Sequence, residues 1–86
     1  MSSNTSVQGL RKAAEQGDAQ AQLNYALLYA QGRGVPRDRL MAYFWLLLAS
    51  AQLPALASRP RDEIASYLSP TQCAVAQVAA RTWKSP

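Results

Sequence analysis

The spacing of apolar and polar positions divides the chain into short helical segments punctuated by glycine and proline. Val7, Leu10, Ala13 and Ala14 recur at intervals of three and four, the spacing of one helix face, and Gly17 can end that segment in a left-handed turn. Asp18 is placed as an N-cap for a helix over residues 19 to 31, whose Ala21, Tyr25, Leu28 and Tyr29 form one apolar face. The segment Gly32-Arg33-Gly34-Val35-Pro36 then reads as a tight reversal between antiparallel helices. Its two glycines are free to take positive φ, Val35 can tuck inward, and Pro36 is preset for the first turn of the next helix. Asp38 is expected within that first turn, where the helix dipole favours a negative charge.

From Leu40 to Ala49 the chain is apolar without interruption. A helix with no polar face is one covered on several sides, and the stretch falls well short of the about 20 apolar residues that cross a bilayer. Pro54 opens a fourth helix, which Pro60 either kinks or restarts, with Ile64, Ala65, Tyr67 and Leu68 as its apolar positions. The run Ser69-Pro70-Thr71-Gln72 has the serine, proline and glutamine of a capped helix start. In the last helix Cys73, Ala76, Ala80 and Trp83 fall near one stripe, which Val75, Val78 and Ala79 are expected to widen. The pattern predicts an all-α chain of about five helices.

The chain also resembles itself. The alanine-rich run beginning at Ala13 returns at Ala49, 36 residues on. Periods of that size belong to stacked helix pairs, in which each unit buries its apolar face only against its neighbours. Within residues 13 to 53, Ala21, Tyr29, Gly32, Gly34, Val35, Asp38, Ala42, Trp45 and Ala49 stand in the order and spacing of a Sel1-like repeat, a relative of the tetratricopeptide repeat that this segment resembles. The resemblance implies a short right-handed α/α solenoid of antiparallel helix pairs, working by protein–protein contact and without catalysis. It also divides the chain into a polar lead-in over residues 1 to 6, a full repeat over about 13 to 53, and capping helices over about 54 to 84. Three positions depart from the family pattern: Tyr25 stands where leucine is usual, Ala26 where glycine is usual, and Leu53 where a closing glycine is expected.

Composition narrows the chemistry. Among 86 residues there is no histidine and one cysteine, Cys73, so neither a disulfide within the chain nor a zinc or haem ligand set can be assembled, and no cofactor is expected. Cys73, flanked by alanine and valine, is expected to be a buried, inert thiol in a reducing compartment. The start of the chain lacks a basic and apolar leader, which points to the cytoplasm. The five acids fall at helix starts or on charged surface rather than in a catalytic group. A net charge of +4 keeps a basic helical nucleic-acid binder as the alternative, although the arginines cluster at turns (Arg33, Arg37 and Arg39; Arg59 and Arg61) rather than in a stripe with aromatics.

Two surfaces are candidates for binding. In tetratricopeptide-like solenoids the first helix of each pair lines the concave side, which nominates Gln20, Asn24, Leu27 and Gln31 as contacts for a protein or peptide. On the central helix, Trp45, Ala42 and Ala49 face the repeat's own core. Tyr43, Phe44 and Leu47 point elsewhere and need cover, from a second copy of the chain or a permanent partner.

Overall fold

Four of the five helices begin at a side chain that satisfies the first free N–H groups, the local signal that sets their boundaries. The computed structural model describes residues 6–84. These form α1 (Val7–Glu15), α2 (Ala19–Gln31), α3 (Arg39–Gln52), α4 (Pro54–Ala65) and α5 (Pro70–Thr82). The N–H of Gly9 donates to Ser6 Oγ at 2.9 Å, that of Ala21 to Asp18 Oδ1 at 3.0 Å, and that of Met41 to Asp38 Oδ1 at 3.0 Å. At α5 the capping box is complete, with Gln72 N–H on Ser69 Oγ and Ser69 N–H on Gln72 Oε1. Ser6 is thus the cap of α1; the rest of the polar lead-in lies outside the described residues.

Two expectations about the third helix are corrected. Asp38 caps α3 from outside, with extended backbone, and Pro36 lies before the helix rather than in its first turn. The reason is that proline's fixed φ suits extended chain as well as helix, so the side chain able to accept from Met41 decides where the helix starts. Gly17, Gly32 and Gly34 all take positive φ, as the turns require. Leu53, where a glycine is usual, holds φ −127°, so α3 ends without a left-handed residue and the chain passes directly into Pro54 at the start of α4. That helix then runs through Pro60 without a break.

Packing follows the order of the helices. α1 lies on α2, α2 on α3, and both α4 and α5 on α3, giving an elongated body of 41 × 25 × 22 Å. Alanines let the backbones approach: Ala14, Ala26, Ala42, Ala49 and Ala57 are wholly buried, as is Leu46. Around them the rings of Tyr25, Tyr29, Phe44, Trp45 and Trp83 meet edge to face, with centroids 5.0–6.0 Å apart. The buried Gln22 amide donates to the Ala14 carbonyl at 3.1 Å and ties the end of α1 to α2. In α5, Ala76 faces inward, but Val75 and Val78 are 57% and 50% exposed, so the expected widening of the buried stripe does not occur.

Tyr25 gives this core a pH dependence. Its pKa is pushed up to about 12, first by burial and then by the hydrogen bond with the Tyr29 hydroxyl at 3.2 Å. A phenol whose pKa is raised on folding contributes stability that is complete below the ordinary value of about 10 and is lost as pH rises through about 12. Denaturation midpoints in urea should therefore fall between pH 10 and 12, and Tyr25→Phe should fall less steeply over that range. Parallel slopes for the two chains would remove Tyr25 as the cause.

Candidate interaction surface

Stacking one helix pair on the next leaves the later helices responsible for covering α3. They cover it incompletely. α4 and α5 each pack on α3 and hardly on one another, so a groove remains between them with α3 as its floor. It is open to solvent and has a volume of about 640 Å³, within the range of clefts that hold ligands or anchoring side chains. The floor is Tyr43, Leu47, Leu48 and Ala51; α4 contributes Arg61 and Asp62, and α5 contributes Gln77, Ala80 and Arg81.

The groove has a polar but uncharged end and a cationic one. At the first, Gln77 Nε2 donates to the Tyr43 hydroxyl at 3.0 Å. Towards the second, Arg61 donates through Nη1 to Ser50 Oγ at 3.3 Å and through Nε to Asp62 at 3.0 Å. Arg81 is exposed and has no ion-pair partner among the described residues. α5 runs alongside α3 in the same direction, since Gln72 lies by residues 37–40 and Gln77 by Tyr43, which carries Arg81 towards the end of α3 where Arg61 reaches Ser50.

The structure separates the three residues expected to need cover. Tyr43 is 5% exposed and hydrogen-bonded to α5, so the chain itself supplies its cover, a correction to the expectation. Phe44 is half-buried on the far side, against Trp45 at 5.1 Å, and belongs with the core. Leu47 stays half-buried on the groove floor. Of the α2 candidates, Gln20, Asn24 and Gln31 are exposed, and Gln20 Nε2 donates to Asn24 Oδ1 at 3.4 Å. Leu27 turns inward and packs against the core.

Elsewhere the polar groups serve the fold. Asp18 and Asp38 cap helices, Glu15 pairs with Arg11 at 3.3 Å, and Asp62 pairs with Arg61. The Arg39 guanidinium lies 4.1 Å from the centre of the Tyr67 ring, which pins the end of α4 to the start of α3. Cys73 is half-buried, its thiol 4.0 Å from the Ala65 carbonyl at the junction of α4 and α5. Among the described residues no group of histidine, cysteine and acidic side chains is placed to hold a metal ion, and no helix is long and apolar enough to cross a membrane.

Short helices packed in succession, with α5 returning onto α3, and a 36-residue period in the sequence define a short helical-repeat protein. The repeat is of the Sel1 type. A family model described as Sel1 repeat matches residues 10–18 and 19–52, the second span running from the start of α2 to the end of α3, and the chain belongs to this family. Repeats of this family mediate contacts between proteins and are typically not enzymes. Comparison with curated proteins and with solved structures finds no match.

Proposed function

We propose that the chain is a non-catalytic protein-interaction module, acting as an adaptor, assembly factor or regulator by holding a partner protein or peptide. The observation that supports this most is the apolar floor of α3, left open between α4 and α5 after the chain has folded. An apolar cleft rimmed by polar groups is the arrangement from which binding energy is drawn, with anchors entering the cleft and the rim excluding water. The α2 stripe of Gln20, Asn24 and Gln31 has its one apolar member, Leu27, packed against the core and lines no part of the groove, so it supports this reading less. Basic character alone favours nucleic acid less, because Arg11, Arg39 and Arg61 are engaged with the chain's own side chains. Cys73, a free thiol, suits a reducing compartment, and the cytoplasm is the proposed place of action.

Affinity capture of the tagged chain from lysate, with and without nuclease and read by mass spectrometry, tests this reading. A protein recovered at near-equal abundance in both arms is the expected outcome. Recovery of nucleic acid, with protein hits that vanish on nuclease treatment, would replace it with the nucleic-acid reading.

A further inference from the structure

We infer that the groove between α4 and α5 takes an amphipathic helix of a partner protein, about two turns long, with carboxylates at the end that meets Arg61 and Arg81. The inference rests on the protein-binding reading and adds the chemistry of the partner.

The length comes from the floor. Tyr43, Leu47 and Ala51 are successive turns of one face of α3, and Leu48 widens it. At about 1.5 Å per residue the span from 43 to 51 is about 12 Å, a little over two helical turns. Because α4 and α5 diverge over α3, the seat that a neighbouring helix would occupy in a closed bundle is open on this side. An entering helix fills such a seat with apolar side chains one turn apart, the helix-in-groove mode.

The sign of the partner's charge comes from the rim. At the cationic end the exposed carboxylate of Asp62 balances Arg61, and the unpaired Arg81 leaves the rim with a net positive charge. Arg81 keeps its full complement of donors for an incoming group, and a guanidinium receives a carboxylate through two parallel hydrogen bonds. The whole chain carries +4, so approach of an acidic segment is steered and approach of a basic one is opposed. The same charge argues against a second copy in this seat, since two copies would bring arginine-bearing rims together.

The test is selection from a phage-displayed library of helix-forming peptides, about 16 residues long, with apolar positions one turn apart and flanking charges varied between Glu and Lys, against the full chain. Enriched peptides should carry glutamates grouped at one end. In fluorescence anisotropy Arg81→Glu should weaken such a peptide at least about tenfold. Changing those glutamates to lysine should restore binding to the Arg81→Glu chain and weaken binding to the wild type. Circular dichroism checks that the exposed substitution leaves the fold intact. Enrichment without acidic bias, no enrichment, or affinity indifferent to Arg81→Glu would overturn the inference. Sedimentation showing a dimer that Leu47→Glu dissociates would overturn it in favour of a second copy. A captured partner protein that binds Arg81→Glu and Leu47→Glu chains as tightly as the wild type would overturn this inference and leave the protein-binding reading standing.

Discussion

We expect the Trp45→Ala chain to be largely unfolded at room temperature. Trp45 is buried where α2, α3 and the end of α5 converge, with edge-to-face contacts to Tyr25, Phe44 and Trp83. Truncating a buried tryptophan to alanine costs about 3–5 kcal/mol, because the cavity it leaves collapses only partly. A small domain holds only about 5 kcal/mol or somewhat more in total. Trp45→Phe discriminates volume from polarity. The indole Nε1 is buried with no hydrogen-bond partner, so losing it removes a desolvated donor while a ring remains to meet its neighbours. That substitution should cost about 1–2 kcal/mol. Far-ultraviolet circular dichroism during urea denaturation separates the cases, and a cooperative Trp45→Ala transition close to the wild type's would show that Trp45 is not central to the core.

Gly34→Ala is expected to cost about 2–4 kcal/mol through two separable effects. Gly34 holds φ +78°, a conformation that costs a residue with a Cβ about 1–2 kcal/mol. A Cβ added there would also come within 2.7 Å of Val7 Cγ2 at the start of α1. Valine is stiff about χ1, so the contact is relieved only by moving α1 or the turn. In a Val7→Ala background the steric part disappears, and Gly34→Ala should then cost about 1–2 kcal/mol. Equal costs in the two backgrounds, measured by urea denaturation, would show that the turn does not bear on α1.

Much of the fold is legible in short stretches of sequence, because capping is local chemistry. Asp18 and Gly32 bound α2 at residues 19 and 31, and Ser69 with Gln72 announces α5, since each acts on a backbone group within a few residues. Pro36 and Pro60 mislead for the same reason: proline fixes only its own φ, and what surrounds it decides whether a helix starts, continues or stays away. The candidate surface is harder to read. Tyr43 is covered by Gln77, 34 residues away, and no local periodicity encodes that contact. In α5 the stripe through Ala76 is legible and Ala76 is buried, but Val75 and Val78, expected to widen it, stay exposed, because close approach of two helices selects for small size rather than hydrophobicity. The divergence of α4 from α5, which makes the groove, depends on how two helices share one neighbour.

The most direct test of the account is to map the binding surface by amide chemical shifts of the nitrogen-15-labelled chain on titration with the captured partner. The account predicts that the shifts concentrate at Leu47, Leu48, Ala51, Ala80 and Arg81. Shifts confined to α2 or α1, with the α3 floor unmoved, would contradict it.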